Sequence, residues 1–271
     1  MDLSQINEWL NLIVRWFHVV AGITWIGQTY LFNWMEKTLT PPEDSRSRKN
    51  IAGELWMVHG GGFYLVEKQK VPEIMPKTLH WFKWEAALTW ISGILLLIIV
   101  YYMGGLMVEP DSRVSEAAAI GIGVGVLVMG WIAYNLLWRS PLGKNEVLGA
   151  TLCLFLVMGL TYELSHLLSP RAAYMHIGAM FGTIMAANVW MIILPAQTKM
   201  IAATKVGKTP DRSLAARAKR CSKHNTYMSI PLIFLMISSH FPTASYGSDY
   251  NWVILGGLIL LGWGAARLMR G

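Results

Sequence analysis

Seven histidines punctuate a chain that is otherwise poor in ionisable side chains. His18 and His176 lie inside long apolar runs. Each is followed by small residues: Ala21 and Gly22 in one case, Gly178, Ala179 and Gly182 in the other. An ionisable ring in an apolar helix is costly, so each is a functional candidate. Two imidazoles from facing helices, with glycines giving a planar macrocycle room, can hold one or two b-type haems in a helix bundle. The alternative is that each ring hydrogen-bonds a neighbouring Ser, Thr or backbone carbonyl. His80 and His224 offer a second, inner pair of metal ligands, and His240, before Phe-Pro, an outer one or a helix cap. A different chemistry is written in "HGGGFYLVEK". Gly60, Gly61 and Gly62 expose backbone N–H groups that can receive an anion or a planar polar heterocycle. His59 and Glu67 add acid–base groups. Glu163 precedes His166 by three residues, which suits a proton relay or a counter-charge for Arg15 or Arg171.

The elements that position these residues are membrane helices. Of the 271 residues, 54% are hydrophobic and only 14% charged, against about 25% charged in soluble domains. Apolar runs at about 10–35, 80–103, 117–138, 147–168, 171–195, 224–240 and 252–269 predict an all-α integral membrane protein of about seven spans. Pro195 closes the fifth. The segment 51–58 reads as a short amphipathic helix, and the glycines after it as a turn into a strand or hairpin. The net charge of +7 sits in loops 37–49 and 199–223, so it follows the positive-inside rule and does not indicate nucleic acid. That rule places the N-terminus outside and the C-terminus inside. It puts His18, His166, His176 and His240 in the outer part and His59, His80 and His224 at the inner face. The order and direction of the first two spans match those of the fifth and sixth, as in a parallel internal repeat. The two cysteines, Cys153 and Cys221, form no CxxC or CxxCH, so neither a Cys-based zinc site nor covalent c-type haem is supported.

Four segments together carry a resemblance: "RWFHVVAGITWIGQTYLFNWME", "GELWMVHGGGFYLVEK", "MHIGAMFGTIMAANVWMIILPAQ" and "HNTYMSIPLIFLMISSHFP". They resemble the membrane domain of the bacterial cytochrome-c-linked urate oxidases. The resemblance implies a multi-pass enzyme of the bacterial inner membrane that oxidises urate to 5-hydroxyisourate and passes electrons to a cytochrome c. It carries function onto His18, His59 with Gly60–Gly62, His176, Asn188, His224, Asn225, Tyr227 and His240. Asn188, Tyr227 and the glycines are expected to bind substrate. His59, Glu67, His224 and Asn225 are expected to act in catalysis. Members of that family continue into a C-terminal cytochrome c domain. Residues 1–271 read as a single transmembrane domain without it, so the acceptor is a cytochrome c or a cytochrome c domain. The other function classes compatible with the pattern are a non-catalytic cytochrome b relay and a purine transporter.

Overall fold

The computed structural model describes residues 2–42, 50–70 and 76–270. Eight α-helices and one β-hairpin appear among them: α1 (Leu3–Thr38), β1 (Ile51–His59), β2 (Gly62–Gln69), α2 (Trp84–Leu96), α3 (Glu116–Arg139), α4 (Glu146–Leu167), α5 (Pro170–Ala187), α6 (Leu194–Lys205), α7 (Arg212–Ile237) and α8 (Asn251–Arg270). Side-chain caps start several of them. Asp2, Ser115, Asn145, Ser169 and Asp211 each accept from a backbone N–H of the first turn of the helix that follows. Within the apolar segments, Thr24, Thr29, Thr89, Ser92, Thr161 and Thr183 donate their hydroxyls to a carbonyl four residues back. Their polar groups are thereby satisfied without water.

Six helices are long and apolar enough to cross a membrane, with α5, its continuation and α6 forming one of them over Pro170–Lys205. The expected span at 224–240 falls in α7. That helix is a single 26-residue rod that starts at Arg212 instead of about 224. Its first half carries Arg212, Arg217, Lys219, Arg220 and Lys223. α5 is the central element. Its apolar window is 56% buried, against at most 28% in the other candidate spans. It packs on α2, α3, α4 and α7, while α1 lies outside against α2 and α8.

Two stretches are wound as π-helix, Leu97–Tyr102 at the end of α2 and Asn188–Ile193 at the end of α5. The second explains why Pro195 does not end the helix as expected. A proline removes one i→i−4 donor, and the wider turn just before it shifts the bonding pattern so that α6 continues to Lys205.

The segment 51–58 is a strand and not a helix. β1 pairs antiparallel with β2, with His59 opposite Gly62 across a two-residue turn. Gly60 and Gly61 have φ of 58° and 80°, the left-handed pair that a tight hairpin needs and that L side chains resist. Gly61→Val is therefore expected to cost the hairpin about 1–2 kcal/mol, seen as faster proteolytic cleavage at residues 60–62 with the melting of the helices unchanged. The expected basic residues Arg46, Arg48 and Lys49 lie outside the described residues.

Candidate functional site

The second π turn brings Asn188 to the place where α3, α5 and α7 meet. Asn188 is fully buried. Its Nδ2 donates to the Tyr134 hydroxyl on α3 and to Asn225 Oδ1 on α7, both at 3.0 Å. Asn225 Nδ2 donates to the Met185 carbonyl at 3.0 Å. Tyr134 Oη lies 2.8 Å from His224 Nδ1. One set of directions satisfies all of these bonds. Both hydrogens of Asn188 Nδ2 are spent, so the Tyr134 oxygen accepts one of them. Its own proton is then free to go to His224 Nδ1. The His224 ring leans on Trp138, 4.1 Å between centroids. One atom is left over: Asn188 Oδ1 is buried and has no hydrogen-bond partner. A buried acceptor without a donor is expensive, and it is an available contact for an N–H of a ligand.

A second network lies beside the first on α7. Tyr30 Oη meets Ser229 Oγ at 2.9 Å, and Asn33 Nδ2 donates to Thr226 Oγ1 at 3.3 Å. Arg270 Nη1 donates to both Asn33 Oδ1 and Thr226 Oγ1. It ties α1, α7 and α8 together.

The two sharpest histidines are held separately. His18 Nδ1 lies 3.0 Å from the Thr89 carbonyl and from Ser92 Oγ, with the ring laid on α2 where a Cβ at Gly93 would come within 3.0 Å of it. Another part of α2 meets α5, through Trp90 Nε1 and Thr183 Oγ1 at 3.1 Å. His176 is fully buried. Its Nδ1 donates to the Ala172 carbonyl at 2.8 Å and its Nε2 accepts from the Tyr102 hydroxyl at 3.2 Å. The first π turn supplies that tyrosine. Each ring thus has a hydrogen-bond partner on Nδ1.

This packing tests the haem expectation. A carbonyl on Nδ1 is the arrangement that leaves Nε2 of a histidine for a metal, and His18, half-buried, fits it. His176 does not fit. Its Nε2 is taken by Tyr102, and a Cβ on Gly123 of α3 would sit 2.5 Å from that nitrogen, so this packing leaves no room for a macrocycle between α3 and the ring. The expected flanking glycines serve other contacts. Gly178 lets α7 approach, with Leu235 Cβ at 3.2 Å from its missing Cβ; Gly22 faces Thr89 at 3.8 Å; Gly182 has open space.

The other expected site residues are spread out. His59, Gly60 and Gly61 are exposed at the hairpin turn, with Gly62 closing it, and half-buried Glu67 pairs across the hairpin with Glu54. His80 is exposed and its ring meets Phe82 edge-on at 4.7 Å, whereas His224 sits among α3 side chains. His240 is exposed at the last residue of a 3₁₀ turn after α7. Tyr227 is half-buried and joins none of the hydrogen bonds about Asn188. Its carbonyl is the one that Pro231, inside α7, cannot bond. Glu163 and His166 are exposed on α4, and His166 Nδ1 bonds the Tyr162 carbonyl.

Of the inner constellation, His224, Asn225 and Asn188 were legible, and Tyr134 was not. The family model for the urate oxidase N-terminal region matches residues 4–268. The chain belongs to the urate oxidase N-terminal family. No curated protein and no solved structure matches it. Membership covers nearly the whole chain, so the networks about Asn188 and His176 both fall within the family region, and urate is the substrate class that the family indicates.

Proposed function

We propose that this protein is a membrane-bound urate oxidase that hydroxylates urate at C5 to 5-hydroxyisourate and passes the electrons to a cytochrome c. The observation that carries the reading is the family match over residues 4–268. Six helices long and apolar enough to span a bilayer support the membrane setting. The bacterial inner membrane, the outward N-terminus, the span at 224–240 in α7 and the parallel repeat belong to the same proposal.

Urate is a planar monoanion edged with N–H and C=O groups. The buried amides suit it: Asn188 Oδ1 accepts a ring N–H, which removes the cost of an orphaned acceptor. The Tyr134 hydroxyl, 2.8 Å from His224 Nδ1, then gives a route for the proton when it donates to that ring. Tyr134 takes it as its own proton passes to His224 Nδ1. The balance is urate and water going to 5-hydroxyisourate, two protons and two electrons. The electrons go singly to two equivalents of a one-electron acceptor of the cytochrome c class. His18 is the residue that would hold a haem b, which when bound supplies one-electron transfer. His18→Ala is expected to reduce haem per chain to a small fraction of wild type, whereas His176→Gln leaves it unchanged. A pyridine haemochrome assay reads both, and unchanged haem in His18→Ala would contradict the assignment. Loss of urate absorbance coupled to cytochrome c reduction tests the reaction itself.

A further inference from the structure

At the opposite end of α5 from Asn188, two buried polar atoms have no hydrogen-bond partner. Tyr101, on the first π turn, is only 3% exposed, and its hydroxyl has no partner. Arg171, the second residue of α5, lies with its guanidinium carbon 5.9 Å from the centre of the Tyr101 ring. Its Nε is buried and also without a partner. Among the described residues, Arg171 forms no ion pair with a carboxylate. Glu163, one candidate counter-charge, is exposed on α4. Arg15, another cation in the outer part of the chain, spends its guanidinium on the Asn11 side chain of its own helix, at 3.0 and 3.2 Å. The region therefore holds positive charge and two desolvated polar atoms, Tyr101 Oη and Arg171 Nε, without a hydrogen-bond partner.

A guanidinium next to an apolar core is costly unless it is paired and hydrogen-bonded. Tyrosine hydroxyls and Arg Nε–H are both donors toward an oxyanion, and a guanidinium takes such groups with charge-assisted bonds. We propose that Tyr101 and Arg171 form an oxyanion-binding site in the outer half of the protein. It is separate from the Asn188 network, since 17 residues of helix between Arg171 and Asn188 span roughly 25 Å. Its ligand chemistry is a monoanion with exposed oxygens, supplied either by the phosphate of a lipid headgroup or by a soluble organic anion of the urate class. The site stands on its own donors and does not depend on urate being oxidised.

The test is binding to the full chain, with no turnover involved. Delipidated protein in detergent is titrated with phosphatidylglycerol, read by native mass spectrometry, and with urate, read by equilibrium dialysis. Arg171→Gln is expected to weaken one of these by roughly tenfold or more, because a charge-assisted bond is lost. Tyr101→Phe keeps the ring and its packing and is expected to weaken the same ligand by a smaller factor. It carries the test if the arginine variant does not fold. Loss confined to phosphatidylglycerol assigns the site to lipid phosphate. Loss of a urate equivalent assigns it to the soluble anion. Binding of both ligands equal in wild type and Tyr101→Phe would overturn the proposal.

Discussion

Asn188→Leu is expected to lower urate turnover about a hundredfold and to destabilise the protein by about 1–3 kcal/mol. The stability cost follows from what the amide holds. Its Nδ2 satisfies Asn225 Oδ1 and the Tyr134 oxygen, and a leucine of similar size leaves both buried acceptors short of a donor. The activity cost is larger because the same change removes Oδ1, the acceptor that the proposed substrate uses, and unfixes the hydroxyl that feeds His224. Tyr134→Phe separates these effects. It keeps the Asn188–Asn225 bond and the ring packing against Trp138, and it deletes the proton route together with the acceptor of one Asn188 N–H. Turnover is expected to fall by roughly 10²-fold, within the range for loss of a positioned acid–base group, with KM little changed. Melting in detergent and initial rates of urate loss check both. A Tyr134→Phe enzyme with wild-type turnover would remove Tyr134 from the mechanism.

The second large effect is steric. Gly123 is buried, and a Cβ there would lie 2.5 Å from His176 Nε2. The ring cannot swing aside easily, since Ala172 and Tyr102 hold its two nitrogens. Gly123→Ala is thus expected to cost about 1–3 kcal/mol by overpacking. The cost should shrink sharply when His176 is also replaced by alanine, because the double variant recovers the space. A double-mutant cycle of melting curves measures the coupling. Additive effects would mean that the two helices do not meet through this ring.

Much of this architecture is legible from residue types alone. Apolar length locates six helices, and the glycine run after His59 foretells the hairpin turn. Segment 51–58 misleads because its apolar residues suit a helix face equally well, and only pairing with β2 across Gly60–Gly61 decides between them. The start of α7 is missed because a charged helical segment and the apolar one after it are continuous, with Asp211 capping the whole. The π turns leave no mark in composition, yet they present Tyr101, Tyr102 and Asn188. Such turns recur at functional sites. Tyr134 escapes notice because a tyrosine in a glycine-rich apolar helix reads as core. The signal that finds it is spatial: a hydroxyl within reach of an imidazole and an amide on two other helices. The histidines at matching depth read as a ligand pair, but depth does not fix which face of a helix a ring occupies. His18 turns to Thr89 and Ser92, and His176 to Tyr102 and Gly123.

The central claim is urate oxidation by this chain with electrons leaving one at a time. Purified protein in nanodiscs, supplied anaerobically with urate and ferricytochrome c, tests it most directly. The account predicts that urate absorbance falls while two equivalents of cytochrome c are reduced for each urate consumed, and that Asn188→Leu suppresses both together. Urate left intact by haem-loaded wild-type protein, with cytochrome c still oxidised, would contradict it.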